Sequence, residues 1–297
     1  MAAIDRVLQD LQTQGCIISS SQDLARTIGP LLEVELQETV AAATTFRAAE
    51  ILLRQSQGLL RNAFESLLPD NKNSFVSEPF QTRIQNFLRW ESLGLHLISP
   101  WRVVLAGRPN VGKSSLINAI LGYDRAIVFD EAGTTRDVLT ANTAIEGWPF
   151  QFSDTAGIRD QATPLEAEGI QRAEQVLHEA DCRVILIDTS QSVHPDDQRL
   201  LSQWPDSVVI AHKTDLPKRW HATLPEHAIS VSSKTNTGVE TLLSHLVERL
   251  VPEIPDKNTP VPITKRQFDL LHQAENSLQE GDHHKYTTLI RQLLYAD

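Results

Sequence analysis

The chain has 297 residues, 41% of them hydrophobic and 6% aromatic, which suits one mid-sized domain with an appended region or two small domains. Its formal net charge of −11 argues against a generic nucleic-acid-binding surface, because phosphate contacts need Lys and Arg clusters and the sequence has no such run. The two cysteines form no disulfide framework, no apolar run is long enough to span a membrane, and the first residues lack the features of a signal peptide. We therefore expect a cytoplasmic protein with no membrane segment.

The first part of the chain, residues 1–98, is predicted to be helical. Apolar residues recur at helical spacing from Leu31 to Leu68, and the same pattern resumes between Phe80 and Leu97. The segment Pro69-Asp70-Asn71 marks a stop between the two stretches. This region is expected to form a helical packing domain.

A phosphate-binding loop follows. An apolar run over residues 103–106 predicts a buried strand, residues 115–121 predict a helix, and between them the sequence GRPNVGKS fits the pattern GxxxxGK[ST]. The glycines allow backbone N–H groups to wrap a phosphate at the start of the helix. Lys113 is expected to reach the β- and γ-phosphates and Ser114 to hold Mg²⁺. The predicted phosphate-binding residues of this loop are Asn110, Val111, Gly112, Lys113, Ser114 and Ser115.

A second strand-like run, FQFS, ends in the sequence DTAG at residues 154–157. The carboxylate of Asp154 can reach Mg²⁺ through a water molecule, and Gly157 can offer its N–H to the γ-phosphate. The order of these two motifs indicates a nucleoside triphosphatase.

Two further motifs indicate that the base is guanine. The apolar run 207–211 leads into HKTD, which is similar to the [NT]KxD motif, and Asp215 can accept two hydrogen bonds from guanine that adenine cannot offer. The stem of Lys213 can lie along the base. The sequence SSK that follows residues 229–231 resembles a loop whose backbone N–H groups contact the guanine O6 atom, which adds Ser232, Ser233 and Lys234 to the predicted site.

One position departs from the base-reading motif, which usually begins with Asn where this chain has His212. That Asn normally braces the phosphate loop as well as the base region. An imidazole can donate one hydrogen bond in its place. Guanine selection should therefore survive through Asp215, while the effect on nucleotide affinity stays open.

The segment AIVFDEAGTTRDVL at residues 126–139 resembles the TrmE–Era–Der branch of GTPases, and within it the MnmE (TrmE) tRNA-modification GTPases. The stretch after Gly157, with IRD and then LEAEGIQRA at 165–173, is similar to the same family. The resemblance covers about residues 100–250. It implies a P-loop α/β fold of the Ras-like type, with a mostly parallel sheet and helices on both faces, and hydrolysis of GTP to GDP and phosphate.

The resemblance also implies a mechanism. Ile158, which follows the DTAG motif, has an aliphatic side chain that cannot polarise water, and in the family a Glu further along does this work, which falls on Glu166 here. The family uses K⁺ in place of an arginine finger, which assigns K⁺ to Asn110, with Gly133 and Thr134 in the segment that would wrap the ion. Thr135 would sense Mg²⁺. The expected catalytic residues are Glu166, Lys113 and Thr135, the expected Mg²⁺ ligands are Ser114, Thr135 and Asp154, and a GTP-dependent homodimer through the G domains is implied.

Beyond residue 250, prolines mark an extended linker over residues 251–263. Two short helices are predicted at 264–280 and 284–295, separated by Gly281. In the family the chain returns here to the helical domain, so these helices are expected to pack on residues 1–98. The expected organisation is a helical domain at 1–98, a G domain at 99–250, the linker, and C-terminal helices at 264–297.

The chain also departs from the family at both ends. It has no room for the whole folate-binding domain that precedes the helices in MnmE, and it has no Cys after Cys182, whereas MnmE ends in a Cys-containing motif. Three functions stay open. The chain is a tRNA-modification GTPase that works with a partner protein, a GTP-dependent assembly or regulatory switch, or a nucleotide sensor that hydrolyses weakly.

Overall fold

The structure, a computed structural model, describes residues 12–13, 31–69, 77–123, 126–128, 140–154 and 174–295. The chain forms two compact units. We call them the helical unit, which comprises residues 1–43, 50–95 and 255–297, and the sheet unit, which comprises residues 44–49 and 96–254.

A seven-stranded sheet forms the centre of the sheet unit. Its strands are β1 Trp101–Ala106, β2 Ala126–Val128, β3 Thr140–Ile145, β4 Trp148–Asp154, β5 Cys182–Asp188, β6 Val208–His212 and β7 Ile229–Val231. They lie in the order β2-β3-β4-β1-β5-β6-β7. The five strands from β4 to β7 along this order are parallel, and β2 and β3 join antiparallel at one edge.

This strand arrangement brings the ends of β1, β4, β5, β6 and β7 to one edge of the sheet, because carboxyl ends of parallel strands coincide. The central strands are almost continuously apolar, as in β5, where six of seven residues are buried. Such a pattern is typical of a parallel strand covered on both faces. Ligands of open α/β sheets bind at this carboxyl edge, and four predicted motifs begin there.

Helices of the described residues lie before, between and after the strands in the sequence. They are α1 Leu31–Ala41, α2 Phe46–Arg54, α3 Leu60–Glu65, α4 Ser77–Leu88, α5 Glu91–Leu95, α6 Lys113–Leu121, α7 Pro195–Gln203, α8 Val239–Leu250, α9 Lys265–Glu280 and α10 His283–Leu294. None of these described helices has the length and apolar character needed to cross a membrane.

The predicted helical stretch from Leu31 to Leu68 is interrupted twice. Residues 42–45 separate α1 from α2, and a π-helical turn at Gln55–Leu59 separates α2 from α3. Gly58 has φ +99° in this turn, a conformation that glycine adopts without steric cost. The buried Gln55 side chain donates to the Thr259 carbonyl at 3.2 Å and accepts from the Val261 N–H at 3.1 Å, so partners distant in sequence hold the irregular turn.

The two predicted C-terminal helices are confirmed, with Gly281 between them at φ +75°. Thr264 and Gln267 form a capping box at the start of α9, and the Asp282 side chain accepts from the Lys285 N–H at 2.9 Å at the start of α10. Each cap satisfies N–H groups that the first helical turn leaves without partners. The two helices pack against each other, with Phe268, Leu271, Leu289 and Ile290 among the buried residues of the helical unit.

Candidate nucleotide-binding site

The loop between β1 and α6 is shaped by two glycines. Gly107 and Gly112 have φ of +150° and +107°. A Cβ atom at Gly107 would lie 2.7 Å from the Leu186 carbonyl oxygen, and one at Gly112 would lie 2.5 Å from the Cε1 atom of His212. Both positions therefore exclude a side chain on steric as well as conformational grounds, and the loop backbone curves around the start of α6.

The side chain of Lys113 lies over this loop and is 4% exposed. Its Nζ donates to the carbonyls of Gly107 at 3.1 Å and Arg108 at 3.2 Å, and lies 3.7 Å from the Oδ1 atom of Asp154. The ammonium group is thus held at the mouth of the loop, where a phosphate would accept its hydrogen bonds.

Ser114 and Asp154 meet at the same place. The Ser114 hydroxyl donates to Asp154 Oδ2 at 2.8 Å, and Asp154 is 1% exposed at the end of β4. A hydroxyl and a carboxylate form the hard oxygen pair that Mg²⁺ takes beside a nucleotide phosphate. No group of three His, Cys, Asp or Glu side chains suited to a metal occurs in the described part of the chain, so an all-protein metal cage is not found there. The Ser114–Asp154 pair fits a Mg²⁺ ion that phosphate oxygens would also ligate.

The predicted base-reading residues converge at the ends of β6 and β7. The Ser232 hydroxyl donates to Asp215 Oδ1 at 2.7 Å. The Ser232 N–H donates to the Thr237 carbonyl at 2.9 Å, which holds Ser232 in place. The hydrogen bond from the Ser232 hydroxyl lowers the pKa of the exposed Asp215 carboxyl. The carboxylate is thus oriented and ionised, as an acceptor for two guanine N–H groups must be.

Lys213 connects the ends of β6 and β5 with the phosphate loop. It follows β6 with φ +60°, and its Nζ donates to the Asn110 carbonyl at 2.9 Å and to Asp188 Oδ2 at 2.7 Å. Asp188, at the end of β5, also accepts from the N–H and hydroxyl of Ser190 at 3.0 and 2.6 Å. Burial alone would raise the pKa of Asp188, but the hydrogen bonds from Lys213 and Ser190 outweigh it and hold the pKa below its usual value.

Asp188 was not among the predicted site residues, because an Asp at the end of a buried strand is also an ordinary strand end. The signal that was available is its position at the carboxyl end of an apolar strand, the same position as Asp154. With Lys213 and Asn110, Asp188 borders a cavity of about 410 Å³ beside the phosphate loop. Asn110 itself has φ +61° and an exposed side chain, so its amide is open to a ligand.

His212 is 2% exposed and contacts both loops. Its Nδ1 lies 2.8 Å from the Val111 carbonyl oxygen and its Nε2 lies 2.7 Å from the Ser233 hydroxyl. The expected hydrogen bond from the imidazole to the phosphate loop is therefore present. Burial lowers the pKa of His212, so the imidazole is neutral at pH 7.

Most predicted site residues lie at one edge of the sheet, and the others lie outside the described residues. The structure brings Asn110, Val111, Gly112, Lys113, Ser114, Ser115, Asp154, Lys213, Asp215, Ser232, Ser233 and Lys234 to the carboxyl edge of the sheet. The predicted residues outside the described part are Gly133, Thr134, Thr135, Gly157 and Glu166.

Residues 102–213 match the family model of the 50S ribosome-binding GTPases. The tRNA modification GTPase MnmE of Zymomonas mobilis is 35% identical over 225 residues, which are 76% of this chain and 46% of that protein. The tRNA modification GTPase MnmE of Lacticaseibacillus paracasei is 34% identical over 211 residues, 68% of this chain and 46% of that protein. The chain thus spans about half the length of the curated relatives it matches.

Among solved structures, the G domain of the T. maritima FeoB iron transporter is similar, with 22% identity and a TM-score of 0.34. The match covers 50% of this chain and 97% of that one.

Proposed function

We propose that this chain, a P-loop GTPase similar to the MnmE tRNA modification GTPases, binds GTP with Mg²⁺ and hydrolyses it to GDP and phosphate with stimulation by K⁺. The observation that supports this proposal is the convergence of phosphate-binding and base-reading residues at one sheet edge. Lys113, Ser114 and Asp154 lie together on the phosphate side, and Asp215 and Ser232 lie together on the base side.

The described residues would act mainly by positioning and electrostatics. Backbone N–H groups of the loop and the ammonium of Lys113 would neutralise charge on the β- and γ-phosphates. When bound, Mg²⁺ would supply further charge neutralisation between the same phosphates, held by Ser114 with Asp154 beside it. The Lys213–Asp188 ion pair would keep the stem of Lys213 in place along the base.

The residues that complete the reaction are proposed from the family resemblance. Glu166 would orient the attacking water, Thr135 would meet Mg²⁺, and Asn110 with the segment of Gly133 and Thr134 would hold K⁺. A monovalent cation between the phosphates would take the place of a guanidinium. We expect two copies of the chain to pair in the GTP state, which static light scattering with GDP and aluminium fluoride in K⁺ would detect as a doubled mass.

The test is GTP turnover in K⁺ and in Na⁺ for the wild type, Glu166→Ala and Glu168→Ala. We expect at least tenfold stimulation by K⁺, loss of that activity in Glu166→Ala with GTP binding retained, and a rate within twofold of wild type in Glu168→Ala. Equal and very slow turnover in both salts and all proteins would contradict the proposal and favour a nucleotide sensor.

The biological role is a separate proposal. We propose that the GTPase serves tRNA modification together with a partner protein. Mass spectrometry of tRNA nucleosides from cells that lack this chain should show a missing modification that the wild-type chain restores and Glu166→Ala does not. Unchanged tRNA would favour a GTP-dependent assembly or regulatory switch.

A further inference from the structure

We propose that His212 and Ser233 form a matched positioning pair, in which Ser233 donates to His212 and His212 donates to Val111, so that the guanine-reading loop holds the phosphate loop in its binding shape. The inference rests on the proposed nucleotide function. It extends that function by assigning the Ser233 side chain a role that the guanine motif does not give it.

The direction of the two hydrogen bonds follows from chemistry. The Val111 carbonyl can only accept, so the His212 Nδ1 atom at 2.8 Å must carry the proton. A neutral imidazole carries a single N–H, so Nε2 is a bare acceptor, and the Ser233 hydroxyl at 2.7 Å must donate to it. The ring is held in one tautomer by its two partners.

Neutrality of the ring is supported by its surroundings. Burial, the largest effect, and the adjacent Lys213 lower the pKa of His212, while the hydrogen bond to the Val111 carbonyl and the carboxylates of Asp188 and Asp215 raise it, and the net shift is downward. The other charged side chains on the packed loops are Lys113 and Arg108 on the phosphate loop and Lys234 on the guanine-reading loop.

The contact with Val111 fixes the orientation of a peptide group that a phosphate would use. In a trans peptide the carbonyl and the following N–H point in opposite directions. Because His212 holds the Val111 carbonyl on one side, the Gly112 N–H points to the other side of that peptide. The imidazole also lies against Gly112, where a Cβ atom would be 2.5 Å from Cε1, so the ring supports the loop from behind.

The Nε2 atom of His212 contacts the Ser233 hydroxyl, which an Asn side chain at position 212 would be too short to reach. Both nitrogen atoms of imidazole are used here, and Nε2 lies one bond further from the backbone than either polar atom of an Asn amide. Asn can replace the Nδ1–H group toward Val111, but its oxygen falls short of the Ser233 hydroxyl. The chain therefore couples the two loops through a longer side chain and a hydroxyl at position 233.

The experiment is a double-mutant cycle on GDP affinity, measured with a fluorescent GDP analogue, for wild type, Ser233→Ala, His212→Asn and the double variant. We expect Ser233→Ala to weaken binding about fivefold to tenfold in the wild-type background, because a buried acceptor loses its donor. In the His212→Asn background the same change should alter affinity by less than twofold. His212→Ala should weaken binding more than His212→Asn, which keeps the bond to Val111.

An equal loss from Ser233→Ala in both backgrounds, or no loss in either, would overturn the pair while leaving the GTPase proposal intact. A wild-type protein that binds no guanine nucleotide would instead reject the proposed function. A long-range proton–nitrogen spectrum of the folded protein, assigned with His212→Asn, provides a second test that needs no nucleotide. It should show the Nδ1–H tautomer, and an Nε2–H tautomer would overturn the assignment.

Discussion

In the helical unit, the buried side chains of Gln55, Gln267 and Tyr286 bond mainly to backbone groups of that unit, whereas in the sheet unit Lys113, Asp154 and His212 gather at one strand edge. The first set satisfies irregular backbone and joins segments far apart in sequence. The second set converges where a ligand would bind. Equally buried polar groups therefore satisfy backbone groups in one unit and gather at a candidate binding edge in the other.

The largest expected effect is the loss of nucleotide affinity when Lys113 is replaced. Replacement of Lys113 by Met removes a charge that would face two phosphates, so GDP and GTP affinity should fall at least ~100-fold. The exposed Lys218 on the same unit offers a matched control, and Lys218→Met should bind nucleotide within about twofold of wild type. Equilibrium binding of a fluorescent nucleotide measures both, and comparable affinity in the two variants would remove Lys113 from the site.

The next effect is on stability alone. Gln267 is fully buried, and its Oε1 accepts from the N–H groups of Ile263 at 2.8 Å and Thr264 at 3.3 Å. Gln267→Leu leaves buried donors without an acceptor, so the free energy of unfolding should fall by about 2 to 4 kcal/mol. Nucleotide affinity should stay within about twofold of wild type.

The matched control for this variant is the exposed Gln279 on the same helix, α9. Gln279→Leu should change the free energy of unfolding by less than about 0.5 kcal/mol. Trp90 is the single tryptophan of the helical unit among five in the chain, so circular dichroism should be recorded beside fluorescence to follow that unit. Weaker nucleotide binding in Gln267→Leu would show that the two classes of buried polar group are not separate.

The smallest effect concerns a single hydroxyl. Tyr286 is fully buried, and its hydroxyl donates to the Leu67 carbonyl at 2.8 Å. Tyr286→Phe keeps the ring in place and should lower the free energy of unfolding by about 1 kcal/mol. Urea denaturation compares it with Tyr295→Phe, at a tyrosine that is 45% exposed, for which we expect only a few tenths of a kcal/mol. An equal loss of unfolding free energy in the two variants would show that the hydrogen bond to Leu67 does not stabilise the fold.

The motifs of the sheet unit could be predicted from the sequence because each depends on neighbours in the chain. A strand, a Gly-containing loop and a helix occur together at residues 101–121, and Asp215 stands at a fixed distance from the end of β6. The mostly parallel sheet was expected from the resemblance to the MnmE GTPases, which these motifs carry. Local sequence is sufficient where the ligand-binding groups belong to one strand end.

Other features depend on contacts between distant segments. Asp188 became part of the site only because β5 lies between β1 and β6 in the sheet. The interruption of the first helices at Gln55 depends on Thr259, 204 residues further along the chain. Apolar periodicity carries no signal for either feature, since both arise from the order in which elements pack rather than from the elements themselves.

The hydrogen bonds from the end of β6 to the phosphate loop also affect the order in which the chain folds during synthesis. His212 contacts Val111 across 101 residues, and Lys213 contacts Asn110 across 103. At typical translation rates the phosphate loop would be synthesised roughly 5 to 20 s before those partners exist. A nascent chain that ends before residue 212 should therefore carry the loop without its support, and the ability to bind nucleotide should emerge late, when β6 docks.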